Sequence, residues 1–559
     1  MWPSIRGSRW MCMWARSSRC FGLVRRCSNL RAVIPAKAAT RGEHTHARFC
    51  GNKGRKAGAA FALSGEGRFL HTAWIAFIVL TLSACAAGPD FKRPDTPPNA
   101  SYLPHDDLPE YITAIGQTQH FAEGADINAH WWSAFHSPAI DALVSDAIAG
   151  NPDLQAAQAS LKESEDNLRA GQGIFFPQIG VGFDAARQRM APGQGVRGVG
   201  GIFSLFTLSA TVSYALDLFG GERRTVEGLH AGVDTQRYLM QGTYQALIGN
   251  VINAALARQA YADEITAMHQ LISLQTQQLE LVEARIHAGE EAYADLLSLR
   301  SARASNFALM ASLALKRDQA DHLLHTLLGK APGETRLPEL RFADLHLPEV
   351  LPVSLPSTLV RQRPDILAAE ARLHRASADI GVASAALFPS ITLSGDYGSA
   401  TDSTDKLGQS GSRFWSAQAS VQQPLFQGGT RWFNRKAAID AYQASLQNYR
   451  STVLAAFQQV ADVLKALQHD AEALQANDEA SRNAAQALQL VQANYAAGLS
   501  SYVDVLVADA QYRQADIAYV QTLAQRYQDT IALYVALGGG WWNEKHAVSM
   551  NTLPAEPRR

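Results

Sequence analysis

Few residues in this 559-residue chain have the types and spacing that do covalent or metal chemistry. His322 and His325 stand three apart, within reach of one metal ion on a helix, but no third ligand lies near them. Surface or packing histidines explain the pair more simply. Gly193-Gln194-Gly195-Val196-Arg197-Gly198 spells G-x-G-x-x-G. A dinucleotide loop needs a strand before it and a helix after it, whereas this one lies between two alternating segments. No nucleophile stands beside a base, and there is no phosphate loop or zinc-hydrolase motif. The sequence therefore points away from an enzyme, and no cofactor or metal is expected. What recurs instead is a carboxylate: Asp184 and Asp396 lie 212 positions apart, each in the polar phase of an alternating segment.

That spacing belongs to a wider pattern. Phe176-Pro177 matches Phe388-Pro389 and Pro152-Asp153-Leu154 matches Pro364-Asp365-Ile366, both at an offset of 212. Leu218-Phe219 matches Leu425-Phe426 at 207, and Gly220-Gly221 matches Gly428-Gly429 at 208. Gly289, Tyr293, Asp295 and Leu297 match Gly498, Tyr502, Asp504 and Leu506 at 209, and so does Leu328-Gly329 with Leu537-Gly538. Matches in the same order at nearly one offset identify an internal duplication.

The net charge of −1 conceals a split. Residues 1–84 hold 14 Lys and Arg against Glu43 and Glu66, which leaves the remainder acidic and argues against a nucleic-acid partner. Cysteine divides similarly: Cys12, Cys20, Cys27, Cys50 and Cys85 occur, and none follows. Residues 1–67 read either as an Arg-rich transit peptide or as an extension ahead of a later start near Leu63. The next segment favours the second. Arg68 and His71 precede the apolar run Ala73 to Leu80, and Leu82-Ser83-Ala84-Cys85 closes it, which describes a secretory signal ending in a lipobox-like site. The run is too short for a spanning helix, which needs about 20 apolar residues. Cys85 is the expected acceptor of a diacylglycerol thioether. The Pro-rich residues after it read as an extended arm.

Four segments alternate with period two. Ile179, Val181, Phe183 and Ala185 interleave with polar or Gly positions, as do Phe206, Leu208, Ala210, Val212 and Tyr214. In the second repeat Ile391, Leu393 and Tyr397 do the same, then Trp415, Ala417, Ala419 and Val421. Such strands have one apolar and one polar face. The polar faces carry Ser, Thr, Gln and Asp with almost no Lys or Glu, which suits a water-filled lumen with Asp184 and Asp396 facing it. A half-buried sheet gives the same period, but aromatic residues near the strand ends fit a membrane girdle. Four strands cannot close a barrel and an open edge cannot sit in lipid, so several chains must share one barrel.

Long proline-free helices follow each strand pair: 222–287 and 293–328 around a turn at Gly289, then 430–496 and 502–537 around a turn at Gly498. Their Ala-, Gln- and Leu-rich faces suit coiled-coil packing. Between the repeats, 331–357 carries Pro332, Pro338, Pro348, Pro352 and Pro356 and reads as a linker.

From Cys85 to about Trp542 the chain resembles the TolC-like outer-membrane efflux protein family, in its lipidated OprM/NodT-type branch. The resemblance rests on Leu82-Ser83-Ala84-Cys85 with Gly88-Pro89-Asp90-Phe91, Trp131-Trp132 with Phe135, and Asn151-Pro152-Asp153 with Arg363-Pro364-Asp365. The paired Phe-Pro strand starts and Ala536-Leu537-Gly538-Gly539-Gly540-Trp541 complete it. It implies a mainly α fold with a membrane β-barrel, in which each repeat supplies two strands and long coiled-coil helices. A homotrimer would form a 12-stranded barrel over a helical periplasmic tunnel. It further implies an outer-membrane exit duct for drugs or small solutes, served by a periplasmic adaptor and an inner-membrane pump. Residues around the second turn would narrow the periplasmic end: Asp504, with Tyr495, Tyr502 and Val507 around it. Some family members carry a second Asp where this chain has Val507, which leaves open whether Asp509 compensates. For Asp504 the alternative is a helix-start residue facing water. The turns at Gly289 and Gly498 would face the adaptor.

The expected divisions are an extension (1–67), signal (68–84), lipidated arm (85–137), first repeat (138–330), equatorial linker (331–357), second repeat (358–542) and tail (543–559). Within this fold a protein-secretion channel is the alternative, and a trimeric coiled-coil lipoprotein scaffold lies outside it. Copper or silver export would bring more methionine than Met190, Met240, Met268, Met310 and Met550.

Overall fold

The computed structural model describes residues 86–95, 101–103, 109–190, 201–290 and 292–543. The expected extension, signal, Cys85, the Gly193–Gly198 loop and residues 544–559 lie outside the described residues.

From their Pro-Asp motifs onward both repeats are built from the same parts in the same order, and the first has one further helix ahead of its motif. The first has helix α1 (Pro138–Gly150), α2 (Pro152–Gln172), strands β3 (Gln178–Met190) and β4 (Gly201–Leu216), and helices α3 (Gly221–Ala288) and α4 (Tyr293–Leu327). The second has α5 (Pro364–Ala385), β6 (Ser390–Thr401), β7 (Arg413–Gln422), α6 (Thr430–Ala496) and α7 (Tyr502–Ala536). Both Pro-Asp motifs open a helix, where proline lacks only a hydrogen bond that the first turn never makes. Their preceding residues do matching work. Asn151 accepts from Leu154 N–H at 2.9 Å and donates to Leu327 O at the end of α4. Arg363 donates to Ala536 O at the end of α7 and forks onto Asp365. Each motif thus satisfies an orphan carbonyl where the long helical hairpin returns.

The strands form one antiparallel sheet in the order β3-β4-β6-β7. β3 and β4 are longer than their alternation alone predicted, reaching Met190 and starting at Gly201. The register sets Asp184 opposite Thr207, and Thr211, Asp396 and Ser416 side by side, so both aspartates share the Ser/Thr face. The other face is apolar and bare: Ile179 is 78% exposed, Val181 77% and Trp415 77%. Among the described residues the outer edges of β3 and β7 have no neighbour in the sheet.

The arm and linker hold structure that their sequences conceal. The hairpin β1 (Tyr111–Ala114) and β2 (Gln117–Glu123) is joined in parallel by β5 (Val350–Val353), so the arm is not extended throughout. This small sheet caps the main core, in which Trp131 stacks on Tyr534 at 5.1 Å and Tyr527 donates to Leu345 O. Arg526 of α7, 1% exposed, donates to Leu467 O of α6 and to Gln119 of β2; Gln119 in turn donates to Pro348 O. One buried guanidinium therefore ties both long helices of the second repeat to the sheet. Among the described residues no helix is long and apolar enough to cross a membrane.

Candidate channel gate

At the far end of the second hairpin, α6 stops at Ala496 and α7 begins at Tyr502. Gly498 takes φ +74°, a conformation that other residues enter at a cost, and its N–H reaches Tyr495 O while Leu499 N–H reaches Asn494 O. The first hairpin turns in the same way at Gly289, φ +80°. Nothing would meet a Cβ at either position, so the backbone angle alone demands glycine.

Asp504 is an exposed capping residue in this turn. Ser501 N–H and Oγ donate to Asp504 Oδ2 at 2.8 and 2.7 Å, and Asp504 N–H donates back to Ser501 Oγ. This reciprocal box closes the start of α7. The Ser501 hydroxyl, then its backbone N–H, hold the Asp504 carboxyl below the usual carboxylate range, with Arg285 of α3 adding to the effect. The helix-start role is thus visible in a single chain. Val507, one turn on, is exposed on the same side as Asp504, whereas Val505, Leu506 and Asp509 are buried. Asp509 points into the helix packing, 3.5 Å from Arg513, and burial raises its pKa. In the single chain it is therefore off the exposed side that Asp504 and Val507 share.

Tyr495 and Tyr502 meet with ring centroids 5.4 Å apart, and Tyr502 OH donates to Gln277 Oε1 of α3 at 2.8 Å. That bond ties the second hairpin's tip to the first hairpin. Gln277 and Arg285 carry no motif and were not singled out by sequence; only their place on the preceding long helix hints at them. At the opposite end of the molecule, Ser416 Oγ donates to Asp396 Oδ2 at 2.8 Å within the sheet's polar face.

Residues next to Cys85 sit at the junction of strand and helix. Ala87 N–H donates to Phe219 O, Asp90 pairs with Arg224 at 2.6 Å, and Phe91 stacks on His374. His325 is buried with Nδ1 2.8 Å from Asp321 O and Nε2 2.9 Å from Thr335 O, so both nitrogens are taken and the residue packs. Among the described residues no group of three or more His, Cys, Asp or Glu could hold a metal.

The model of the family described as outer membrane efflux protein matches residues 143–330 and 355–539. The pyoverdine export outer membrane protein OpmQ of Pseudomonas putida is 30% identical over 416 residues, 74% of this chain and 88% of that protein. The probable outer membrane lipoprotein SilC of Salmonella typhimurium is 26% identical over 471 residues, 83% of this chain and 97% of that one. Among solved structures, the outer-membrane channel OprN superposes with a TM-score of 0.72 at 27% identity, over 82% of this chain and all of that one. With both repeats matched and their strands and helical hairpins laid out as in a known channel, the chain belongs to the outer membrane efflux protein family and is an outer-membrane component of an efflux system.

Proposed function

We propose that three copies close a twelve-stranded barrel in the outer membrane and continue it as a helical duct into the periplasm. Solutes delivered by an inner-membrane pump through a periplasmic adaptor would pass along it without a chemical step. The observation that carries this reading is the sheet β3-β4-β6-β7, apolar on one face, Ser/Thr/Asp on the other, with both edges unpaired among the described residues. Lipid tolerates no unpaired edge, and a polar-lined barrel of that size holds water. Cys85 carries the lipid in this reading. The location of Ala87 against Phe219 at the end of β4, and the lipoprotein named among the relatives, support it.

Gly289 and Gly498 head the turns offered to the adaptor. Asp504, Val507, Tyr495 and Tyr502 form the narrow end, where three Asp504 carboxylates would attract cations. Asp184 and Asp396 line the barrel. Small organic solutes, drugs among them, are the expected cargo, in keeping with the pyoverdine export protein among the relatives.

The test is single-channel conductance of the purified chain from Cys85 onward in a planar bilayer, beside Asp504→Ala. Cation-preferring openings that lose selectivity in the variant support both channel and gate. Unchanged selectivity removes Asp504 from the constriction. A verified trimer that stays silent even with its adaptor overturns the channel.

A further inference from the structure

Between the first hairpin, α3 and α4, and helix α7 of the second lies a cavity of about 320 Å³. That is room for a small organic molecule. Helical spacing makes it. On α3, Ala257, Tyr261, Glu264 and Met268 follow at steps of four, three and four residues, and on α7 Ile517, Gln521, Ala524 and Gln528 do the same. On α4, Leu309, Leu313 and Lys316 complete the wall at steps of four and three. Each set lies on one helix face. Alanines at 257, 260 and 524 are too short to fill the space where the three faces meet.

Glu264 is the unusual member of this wall. It is 4% exposed and accepts one hydrogen bond, from Gln521 Nε2 of α7 at 2.9 Å. Among the described residues no cation lies within ion-pair distance of it. The one basic lining residue, Lys316, is exposed, with Nζ over the Tyr261 ring at 5.8 Å from its centroid. A charge that faces water is screened, and a buried one is not. The potential inside the cavity is therefore set by the carboxylate. Burial holds that carboxyl above the ordinary range, against the Gln521 amide and the more distant Lys316. A buried carboxylate with a single donor favours any group that brings it further N–H bonds and a positive charge.

We propose that this cavity binds a small amphipathic amine, its ammonium donating to Glu264 and its apolar body lying against Met268, Leu313 and Ile517. Met268 and Leu313 are buried and Ile517 half-buried, so an apolar body there loses water. The Tyr261 ring, which already faces one ammonium, offers a second attraction to the ligand's. One chain supplies every residue named, so the site needs no second copy. A ligand seated there would clasp α7 to the first hairpin, about 20 Å along α3 from the bond between Tyr502 and Gln277.

The test is calorimetric titration of the protein, purified from outer membranes into lipid nanodiscs, with 3-phenylpropylamine. Saturable binding, one molecule per chain, is expected, roughly ten-fold or more tighter than that of 3-phenylpropanol, an uncharged molecule of the same shape. Glu264→Gln should erase the preference for the amine. Lys316→Ala should not weaken amine binding, because its charge competes with the ligand's. Equal affinity for amine and alcohol, or a preference that survives Glu264→Gln, overturns the site. So does tighter binding of 3-phenylpropanoate that is lost in Lys316→Ala, which would make the cavity an anion site. If Glu264→Gln does not fold, Leu309→Trp at the rim, where Leu309 is 49% exposed, should block the amine; binding unchanged by that variant overturns the cavity as its location.

Discussion

Tyr502→Phe isolates the bond that holds the two helical hairpins together at their tip. The substitution deletes the hydroxyl that donates to Gln277 at 2.8 Å and keeps the ring that meets Tyr495. An exposed neutral hydrogen bond contributes about 1 kcal/mol net. If the three tips of a trimer part together, the loss is about 3 kcal/mol, or roughly a hundred-fold shift toward the parted state. Single-channel recording reads this directly: the variant should show a much higher open probability with unchanged conductance of the open state. Gln277→Leu should reproduce it, and the double variant should go no further than either single one, because all remove the same interaction. An intact Tyr502→Phe trimer with native open probability would refute the claim that this bond restrains the tip.

Two further predictions concern pH. Burial and the neighbouring Asp529 raise the Asp470 carboxyl to about 8, so the folded protein holds that proton more tightly than the unfolded chain. Stability is then lost as pH climbs from about 4, the ordinary carboxylate value, toward the raised one. Asp470→Asn should melt like the parent at pH 4 and several degrees higher at pH 8.5; equal melting at both would exclude the buried charge. His325 runs in the same direction for another reason: the Thr335 carbonyl, ahead of that of Asp321, favours its protonated form, with both ring nitrogens donating. Its contribution is complete below about pH 6.5 and fades as pH rises through the raised value. His325→Phe should cost about 2 kcal/mol at pH 6 and less at pH 8.5, measured by thermal unfolding in detergent; a pH-independent cost would point to lost packing alone.

The duplication, the strand alternation and the long helices were legible because each is a periodic property of neighbouring residues. Gly498 announced a turn and Asp504 a helix start, and both occur. The β1-β2-β5 sheet was not legible. Its strands are four to seven residues long, and Val350–Val353 sits in a Pro-rich linker far from its partner. Arg526 was equally hidden, since a charged residue inside a helix reads as solvated until a carbonyl of another helix and Gln119 are seen around it. Gln277 was missed for the same reason: a polar contact 225 residues away leaves no local period.

The arm at residues 86–93 lies along only one of the two equivalent strand-to-helix corners. It covers Gly220, whereas Leu425 and Phe426 at the matching corner are 93% and 89% exposed. A ring closed from three such chains, as proposed, would therefore have six similar corners that are decorated alternately. Any molecule feeling its way round that belt, lipid or protein, meets a covered site and a bare aromatic one in turn. In such a ring the duplicated fold would supply six corners, and a short stretch of arm would cover three of them.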